Sequence, residues 1–410
     1  MTPRPLAGRR VIELGTMIAA PFATHILANL GAEVIKVEPP SGDTTRALVR
    51  GGPSGTFLAY NHSKQSLCLD LTQPEGLEVF QRLVATADIL IHNLSPAATR
   101  KLRITRDDLA AFNPELIYCH IRGYAHGPQH DDLATNPVAE AQTGAMDDHR
   151  VNGRPSRFGP SYHDQFAGCF AVIRVLAALL ARDLTPEQRY FEIGLYETGL
   201  HVAGRDYAGV QLKTQLLGRP EKEGGGEFSS PGYGAYLTAD GRWVYLLVLT
   251  DAHWAKLTRA LSMPEAGDES LARLRDRKKQ RDRCEAAVVA AMAKVSFADC
   301  ERLLREAGLG FTEVLPVERV LEAPQARQPG KLNAFDYRGY HFDVPELPGQ
   351  DALAAATPPP ELGEHSLALL AALGFDPAAS AALLAQGAVA AAGENAQPFA
   401  WAPVRDKPAG

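Results

Sequence analysis

Most residue patterns that indicate a well-known enzyme chemistry are missing from this sequence of 410 residues. It contains no H-E-x-x-H zinc motif, no P-loop, no G-x-S-x-G nucleophile elbow and no C-x-x-C pair. The histidines are scattered, so a metal site is disfavoured, as are nucleoside triphosphate chemistry and a serine nucleophile. We therefore expect no bound metal and no permanently bound cofactor.

Charge excess and long apolar runs are also missing. The formal net charge is −6, which gives no overall attraction to nucleic acid or to anionic membranes. The most apolar window, Phe166–Ala181, is short and interrupted by Arg174, and no apolar signal segment stands near the first residue. The cysteines are odd in number and widely spaced, as in a reducing compartment, so we expect a cytoplasmic protein without disulfides. They are Cys68, Cys119, Cys169, Cys284 and Cys300.

Short apolar runs alternate with helical patterns in the first half of the chain, which predicts an open α/β sheet with parallel strands. The first strand–helix turn lacks G-x-G-x-x-G, so a dinucleotide site is disfavoured. Ligands of such sheets bind at the carboxyl ends of the strands. The predicted strands are Arg10–Gly15, Glu33–Glu38, Ser66–Leu71, Asp88–Leu94, Leu116–Tyr124 and Arg189–Leu195.

A change of composition follows at Gly218–Gly234, which is rich in Gly, Ser, Pro and charge and indicates a linker or loop. Beyond it, a hairpin pattern around Asp240 and Gly241 and several short helices predict a small α+β domain. The Ala-rich tail after Gly387 is expected to add little to the core.

The stretch Arg157–Arg182 places one acidic side chain, Asp164, between a loop rich in Gly, Pro and Ser and a long apolar helix. A helix that is apolar on nearly all sides is normally buried. Asp164 therefore stands at the start of a buried helix, where a nucleophile or general base would suit. Because Asp is also a preferred N-cap, these residues alone leave helix capping open as its role.

A carboxylate is the best remaining candidate for a nucleophile. Cys169 lies within the apolar helix, where a thiolate is disfavoured, whereas carboxylates do act as covalent catalysts. Attack of Asp164 on a thioester would give a mixed anhydride, and the expelled thiolate would then form an enzyme-bound thioester. This chemistry requires no metal and no redox cofactor.

Five segments together carry a family resemblance, and they are Pro21–Asp43, Asn61–Leu71, His92–Leu102, Asn113–Pro128 and Leu362–His365. In this order they resemble the class III CoA-transferase family, which includes formyl-CoA and carnitine CoA-transferases. The resemblance extends to about Gly374. It implies a Rossmann-like large domain from both chain ends (1–215 and 345–410), a small domain at 230–330, linkers at 216–229 and 331–344, and an interlocked homodimer.

The resemblance also implies roles for individual residues. Asp164 matches the family nucleophile, so an acyl-CoA thioester and a small carboxylic acid would be the substrates. A glycine loop that covers the active site in the family matches Gly224, Gly225 and Gly226. The positions expected to contact CoA are Thr16, Met17, Ile18, Asn93, Leu94 and Lys101.

Some positions depart from the family pattern. Pro39 and the acidic loop 129–134 stand where basic residues can help to bind the CoA phosphates, so Arg46, Lys64 or Arg100 would have to compensate. The family's racemase branch pairs the aspartate with a histidine, and Thr135 stands in that place. Since racemisation needs two bases, His163 would have to supply the second.

The stretches Thr135–Pro137 and Leu249–Trp254 resemble the intramolecular branch of the family, the mesaconyl-CoA C1–C4 transferases. That branch moves CoA between the two carboxyl groups of one branched dicarboxylate. We therefore expect short dicarboxylic acids as substrates, with transfer either between two acids or within one. A CoA-binding protein without turnover is a further alternative, which predicts no covalent adduct on Asp164.

Overall fold

The computed structural model describes residues 4–48, 53–181, 184–218, 230–349 and 356–393. It divides into two compact units, Met1–Asp206 with Pro329–Gly410, and Tyr207–Gln328. The domain boundaries expected from the sequence, near residues 215, 230, 330 and 345, remain predictions.

Strands and helices alternate through much of the described chain. The strands are β1 (Arg10–Leu14), β2 (Glu33–Glu38), β3 (Gln65–Leu69), β4 (Ile89–His92), β5 (Ile117–Arg122), β6 (Arg150–Val151), β7 (Arg154–Pro155), β8 (Tyr190–Gly194), β9 (Tyr233–Leu237), β10 (Trp243–Leu247), β11 (Phe311–Glu313), β12 (Leu332–Tyr337), β13 (Tyr340–Pro345) and β14 (Val389–Ala390). The helices are α1 (Ala19–Asn29), α2 (Gly55–Asn61), α3 (Pro74–Val84), α4 (Pro96–Lys101), α5 (Arg106–Ala110), α6 (Asn136–Gln142), α7 (Ala145–Asp148), α8 (Tyr162–Leu180), α9 (Leu195–Val202), α10 (Gly204–Leu217), α11 (Asp251–Ala260), α12 (Leu274–Lys279), α13 (Arg281–Met292), α14 (Phe297–Glu306), α15 (Val317–Val320), α16 (Ser366–Ala372) and α17 (Pro377–Ala385).

A seven-stranded sheet organises the first unit, with the strand order β14-β3-β2-β1-β4-β5-β8. The neighbours from β3 to β8 in this order pair in parallel, and β14 pairs antiparallel with β3. The open, largely parallel sheet predicted from the sequence is therefore confirmed. Because the chain builds outward from β1 in both directions, the order reverses between β1 and β4, and a ligand site is expected at their carboxyl ends.

Helices cover both faces of this sheet, which explains why its strands carry apolar side chains on both faces. On one face α1 and α8 pack over Val11, Ile91 and Cys119. On the other face α3, α16 and α17 pack over Ile12 and Leu90. Among the described helices, α8 is long and apolar enough by composition to cross a membrane, yet a row of its small side chains lies in the core.

The second unit holds a three-stranded antiparallel sheet, in the order β11-β10-β9. Its core joins β9 and β10 to α11, α13 and α14 through Trp254, Val288 and Leu304. The hairpin and the run of short helices predicted for this segment are observed.

Two sequence expectations are corrected by the fold. The chain after Gly387 does contribute to the core, because Val389 is fully buried and pairs with Leu69 at the sheet edge. Its small apolar side chains are what a close-packed edge strand requires. The helix expected at Glu197–Leu212 is divided into α9 and α10, with Ala203 between them.

Candidate active site

Asp164 lies in the first turn of α8, two residues after Tyr162, which begins the helix. The N-cap is Ser161, and the side chain that serves the helix end is Asn136, whose Oδ1 accepts the N–H groups of His163 (3.0 Å) and Asp164 (3.4 Å). Helix starts leave such donors without an intrahelical partner. Capping as the role of Asp164 is therefore wrong, and its carboxylate is available for chemistry.

The carboxyl of Asp164 holds its proton unusually tightly. Burial raises its pKa to about 7, Arg157 in the preceding loop opposes this increase, and Glu140 in α6 adds to it. A helix N-terminus would favour the anion, so the loss of water outweighs the helix dipole here. A carboxylate that is poorly solvated when ionised is a stronger nucleophile than one on the surface.

The two neighbours of Asp164 point to different partners. The Nε2 of Gln165 donates to the Tyr60 hydroxyl at 2.8 Å, and His163 Nε2 lies 3.1 Å from Thr143 Oγ1. His163 also packs so closely on Gly199 of α9 that a Cβ there would stand 2.5 Å from Nε2. Burial lowers the pKa of His163. With its ring engaged in this way, His163 is poorly placed to act as a second base.

The predicted CoA-contacting residues Thr16 and Asn93 meet at the switch point of the sheet. The Asn93 side chain accepts from the Thr16 N–H (3.0 Å) and donates to the Thr16 carbonyl (2.8 Å). Thr16 Oγ1 donates to Asp43 at 3.0 Å. Met17 follows in a left-handed conformation with φ 65° and a partly exposed side chain. The loop after β1 is therefore held from both sides.

The remaining predicted contacts lie around this loop and the chain after β4. Ile18 precedes α1 and its carbonyl accepts the Phe22 N–H at 2.7 Å. The Leu94 carbonyl lies 2.8 Å from His120 Nε2. Lys101 is exposed in the last turn of α4 and forms no ion pair with a described residue. Gly224, Gly225 and Gly226 lie outside the described residues.

Close packing of α8 on α1 connects Asp164 to this loop. Gly168, one turn after Asp164, approaches the first turn of α1, where an added Cβ would lie 3.0 Å from the Ala19 carbonyl oxygen and 2.9 Å from Phe22 Cδ1. Ala19 follows Ile18 directly. The candidate nucleophile and the candidate CoA loop therefore belong to neighbouring helix starts.

Comparison with known proteins bears on what this arrangement does. Residues 6–366 match the model of CoA-transferase family III. The chain belongs to this family. The resemblance noted in the sequence is thereby confirmed, and a transferase acting on acyl-CoA and carboxylate substrates is the activity that such membership supports.

Relatives of this family III CoA-transferase chain include enzymes of known substrates. It is 30% identical over 389 residues to the succinate–glutarate CoA-transferase of Agrobacterium fabrum, covering 90% of this chain and 96% of that one. It is 34% identical over 279 residues to the β subunit of the Chloroflexus aurantiacus succinyl-CoA–L-malate CoA-transferase, covering 66% and 68%. A CAIB/BAIF family protein from Brucella suis superposes with a TM-score of 0.78 at 27% identity, covering 91% of this chain and all of that one.

Two of the basic residues considered for the CoA phosphates are used elsewhere in this family III chain. Arg46 is buried in a two-bond ion pair with Glu38 (2.7 Å each), and Lys64 is buried against Glu13 at 2.6 Å. The charged groups of Arg46 and Lys64 do not face solvent. The expectation that one of these two residues binds the CoA phosphates is therefore wrong. Arg100 remains exposed, 3.6 Å from Asp131.

A buried charge network beneath the candidate CoA loop was not foreseen from the sequence. Glu13 binds Lys36 and Lys64 at 2.6 Å each, and Lys36 also lies 2.9 Å from Asp43 Oδ2. Burial alone would raise the pKa of Asp43, but Lys36 and Thr45 lower it to about 2. Asp43 thus stays ionised and holds Thr16. The only sequence signal was charge inside the apolar strands RVIEL and EVIKVE.

Proposed function

We propose that this chain transfers CoA from an acyl-CoA to a carboxylic acid through covalent intermediates on Asp164. The observation that carries the proposal is a poorly hydrated carboxyl, with a pKa of about 7, at the helix start that packs beside the candidate CoA loop. Family membership supports the reaction class.

The proposed reaction proceeds by acyl exchange at Asp164. Its carboxylate attacks the thioester carbonyl, the C–S bond breaks, and CoA thiolate leaves a mixed anhydride on the enzyme. The thiolate then attacks the aspartyl carbonyl and expels the donor acid, which gives an aspartyl–CoA thioester. The acceptor carboxylate repeats these two steps in reverse order, leaves as the new acyl-CoA and regenerates Asp164.

Short dicarboxylic acids are the proposed substrates. The relatives named above act on succinate, glutarate and malate, by their names. Arg157 offers this chain a matching cation, because its side chain is exposed, close enough to act on Asp164, and without an ion pair or hydrogen bond among the described residues. An acid bound with one carboxylate at Asp164 would place its second carboxylate near Arg157. We further propose that the enzyme works in the cytoplasm, consistent with five free cysteines.

Covalent labelling tests the mechanism. The protein is incubated with succinyl-CoA, quenched with and without hydroxylamine, and the peptide that contains Asp164 is analysed by mass spectrometry. We expect a CoA adduct on Asp164 that hydroxylamine converts to a hydroxamate, and none in Asp164→Ala. Asp148→Asn, a change at an exposed carboxylate in α7, is the matched control and should label normally. Full transfer activity in Asp164→Ala would disprove the mechanism.

The same protein distinguishes the two kinds of transfer. Mesaconyl-CoA is incubated alone and the CoA esters are separated by chromatography. An isomeric ester formed without an added acid means intramolecular transfer, whereas dependence on added succinate means transfer between acids.

The role of Arg157 is tested with Arg157→Gln beside Arg154→Gln, which removes another exposed arginine of the same hairpin region. We expect Arg157→Gln to raise the KM for succinate roughly 10- to 150-fold, since a charge-assisted hydrogen bond contributes about 1.5–3 kcal/mol. The KM of Arg157→Gln for propionate should stay unchanged. In Arg154→Gln the KM values for succinate and for propionate should both stay unchanged. Assays at pH 9 keep Asp164 ionised in every variant. An equal loss for succinate and propionate would contradict the assignment.

A further inference from the structure

Glu140 is a fully buried carboxylate that the proposed reaction leaves without a role. It lies in α6, one turn after Asn136, and its Oε1 accepts a hydrogen bond from Asn136 Nδ2. Its Oε2 has no hydrogen-bond partner among the described residues. A buried carboxylate with an unsatisfied oxygen costs folding free energy, so its presence beside the candidate nucleophile calls for a functional reason.

Asn136 connects Glu140 to the helix start that carries Asp164. Because the Asn136 amide donates through Nδ2 to Glu140, its Oδ1 is the atom left to accept the N–H groups of His163 and Asp164. An ionised carboxylate accepts hydrogen bonds and donates none. Glu140 therefore requires the Asn136 amide to be turned with Nδ2 towards it. Asn136 thus links the Glu140 carboxylate to the backbone N–H groups of His163 and Asp164 through hydrogen bonds whose donors and acceptors are fixed.

The charge of Glu140 also acts on Asp164. Besides burial, two charged groups act on the pKa of Asp164. Arg157 in the preceding loop lowers this pKa, and Glu140 in α6 raises it. His163 beside it is kept neutral near pH 7 by burial, which lowers its pKa. Acylation removes the negative charge of Asp164. A nearby negative charge therefore disfavours the free carboxylate more than the acylated form.

We propose that Glu140 is a positioning residue that, together with Asn136, fixes the first turn of α8 and favours acylation of Asp164. This inference rests on the proposed function, in which Asp164 is the nucleophile. Glu140 contacts neither thioester nor acid in this role, because it is covered on all sides. Glu140 contributes in two ways. It fixes the orientation of the Asn136 amide, and its negative charge repels the free Asp164 carboxylate but not the uncharged acylated form.

The substitution Glu140→Gln tests the proposal, since glutamine keeps the shape and an acceptor for Asn136 but removes the charge. We expect the apparent pKa in the pH profile of kcat/KM to fall by roughly 0.5 to 1, and the fraction of trapped acyl-enzyme to fall several-fold. Asn136→Ala keeps the charge and removes the acceptor, so it should lower kcat with a smaller change in the pH profile.

The matched control is Glu192→Gln, which alters another carboxylate of the same unit, whose side chain is 6% exposed and paired with Arg122 at 2.7 Å. It should lose thermal stability and leave the apparent pKa unmoved. If Glu140→Gln behaves in the same way, with an unmoved pH profile and a normal adduct fraction, Glu140 is merely structural and the proposal is overturned.

A carbon-13 NMR titration of the Asp164 carboxyl provides a readout that does not depend on turnover. A lower pKa in Glu140→Gln supports the coupling even if no succinyl-CoA adduct forms, and an unchanged pKa overturns it. Absence of an adduct in the unmodified protein would instead count against Asp164 as the nucleophile. The failure of one proposal is thus distinguishable from the failure of the other.

Discussion

In the proposed mechanism Asp164 meets two demands, since it must be ionised to attack and yet its surroundings oppose ionisation. Burial raises its pKa to about 7, well above the ordinary value near 4 for aspartate. Between about pH 4 and pH 7, Asp164 is therefore protonated in the folded protein but ionised in the unfolded chain. In that window the free energy of unfolding falls as the pH rises.

This linkage predicts opposite effects of pH on activity and stability. We expect kcat/KM to rise about tenfold per pH unit below pH 7 and to level off above it, because only the ionised Asp164 attacks. Asp164→Asn should abolish transfer and stabilise the protein by about 2–4 kcal/mol at pH 8. The gain should disappear near pH 3, where aspartic acid is uncharged in both states. Assays from pH 5 to 9 and denaturant unfolding at both pH values check this.

A variant that is no more stable than the parent at pH 8 would contradict the raised pKa. The exposed Asp132→Asn, in the loop after β5, serves as the control, and its stability should change little at either pH.

The residues of this site differ in how far the sequence could reveal them. Asp164 stood out because it borders an apolar helix, and Thr16 and Asn93 were expected from the family resemblance. Asn136 and Glu140 could not be found in that way, because only the packing of α6 brings them to the start of α8. Lys64 was misjudged for a related reason, since a lysine in a polar segment gave no sign of full burial against Glu13.

At the scale of elements, the contact between α8 and α1 determines where the candidate nucleophile Asp164 lies. Gly168 permits this contact because it lacks the Cβ that would meet the Ala19 carbonyl and Phe22. A backbone atom cannot move aside as a flexible side chain can, so a larger residue would have to push the helices apart.

Gly168→Val should therefore reduce both stability and activity. We expect a loss of about 1–3 kcal/mol in the free energy of unfolding, the range for overpacking, and a larger fractional loss in kcat than in thermal stability, because the start of α8 moves. Gly55→Ala, at an exposed position with open space around it, is the control and should change neither quantity appreciably. Equal activity in Gly168→Val and the parent would show that the spacing is not critical.

The strands of the large sheet could be predicted as elements because they are short, apolar and bounded by turn residues. Their order could not, since nothing in one chain's local pattern says that β4 pairs with β1 instead of β3. Residues 331–344 were expected as a linker, and β12 and β13 form a regular hairpin there. Its Phe335 and Tyr337 pack against Leu58, a long-range contact that local sequence does not encode.

At the scale of the whole molecule, α8 buries mostly small side chains in the core and presents large apolar side chains to solvent. Phe166 is 41% exposed, Ile173 57% and Leu180 83%. A second copy of the chain, as the family resemblance implies, would cover such a surface.

We therefore expect a homodimer, with a mass by light scattering about twice the 44.2 kDa of one chain. Ile173→Asp should shift the protein towards monomer or lower its thermal stability, because it would bury an unpaired charge in the interface. Val317→Asp, at a comparably exposed residue of α15 in the second unit, is the matched control. A monomeric parent protein at micromolar concentration would contradict the prediction.

The edge strand β14 has a consequence for how the protein is made. The parallel strands of the large sheet are complete once residue 194 has been synthesised, but the strand that closes the free edge of β3 arrives only with Val389 and Ala390. At about 5–20 residues per second, roughly 10–40 s pass between these events. During this interval the nascent sheet has an open edge beside Cys68. Ribosome-bound chains should therefore depend on chaperones until Val389 and Ala390 emerge.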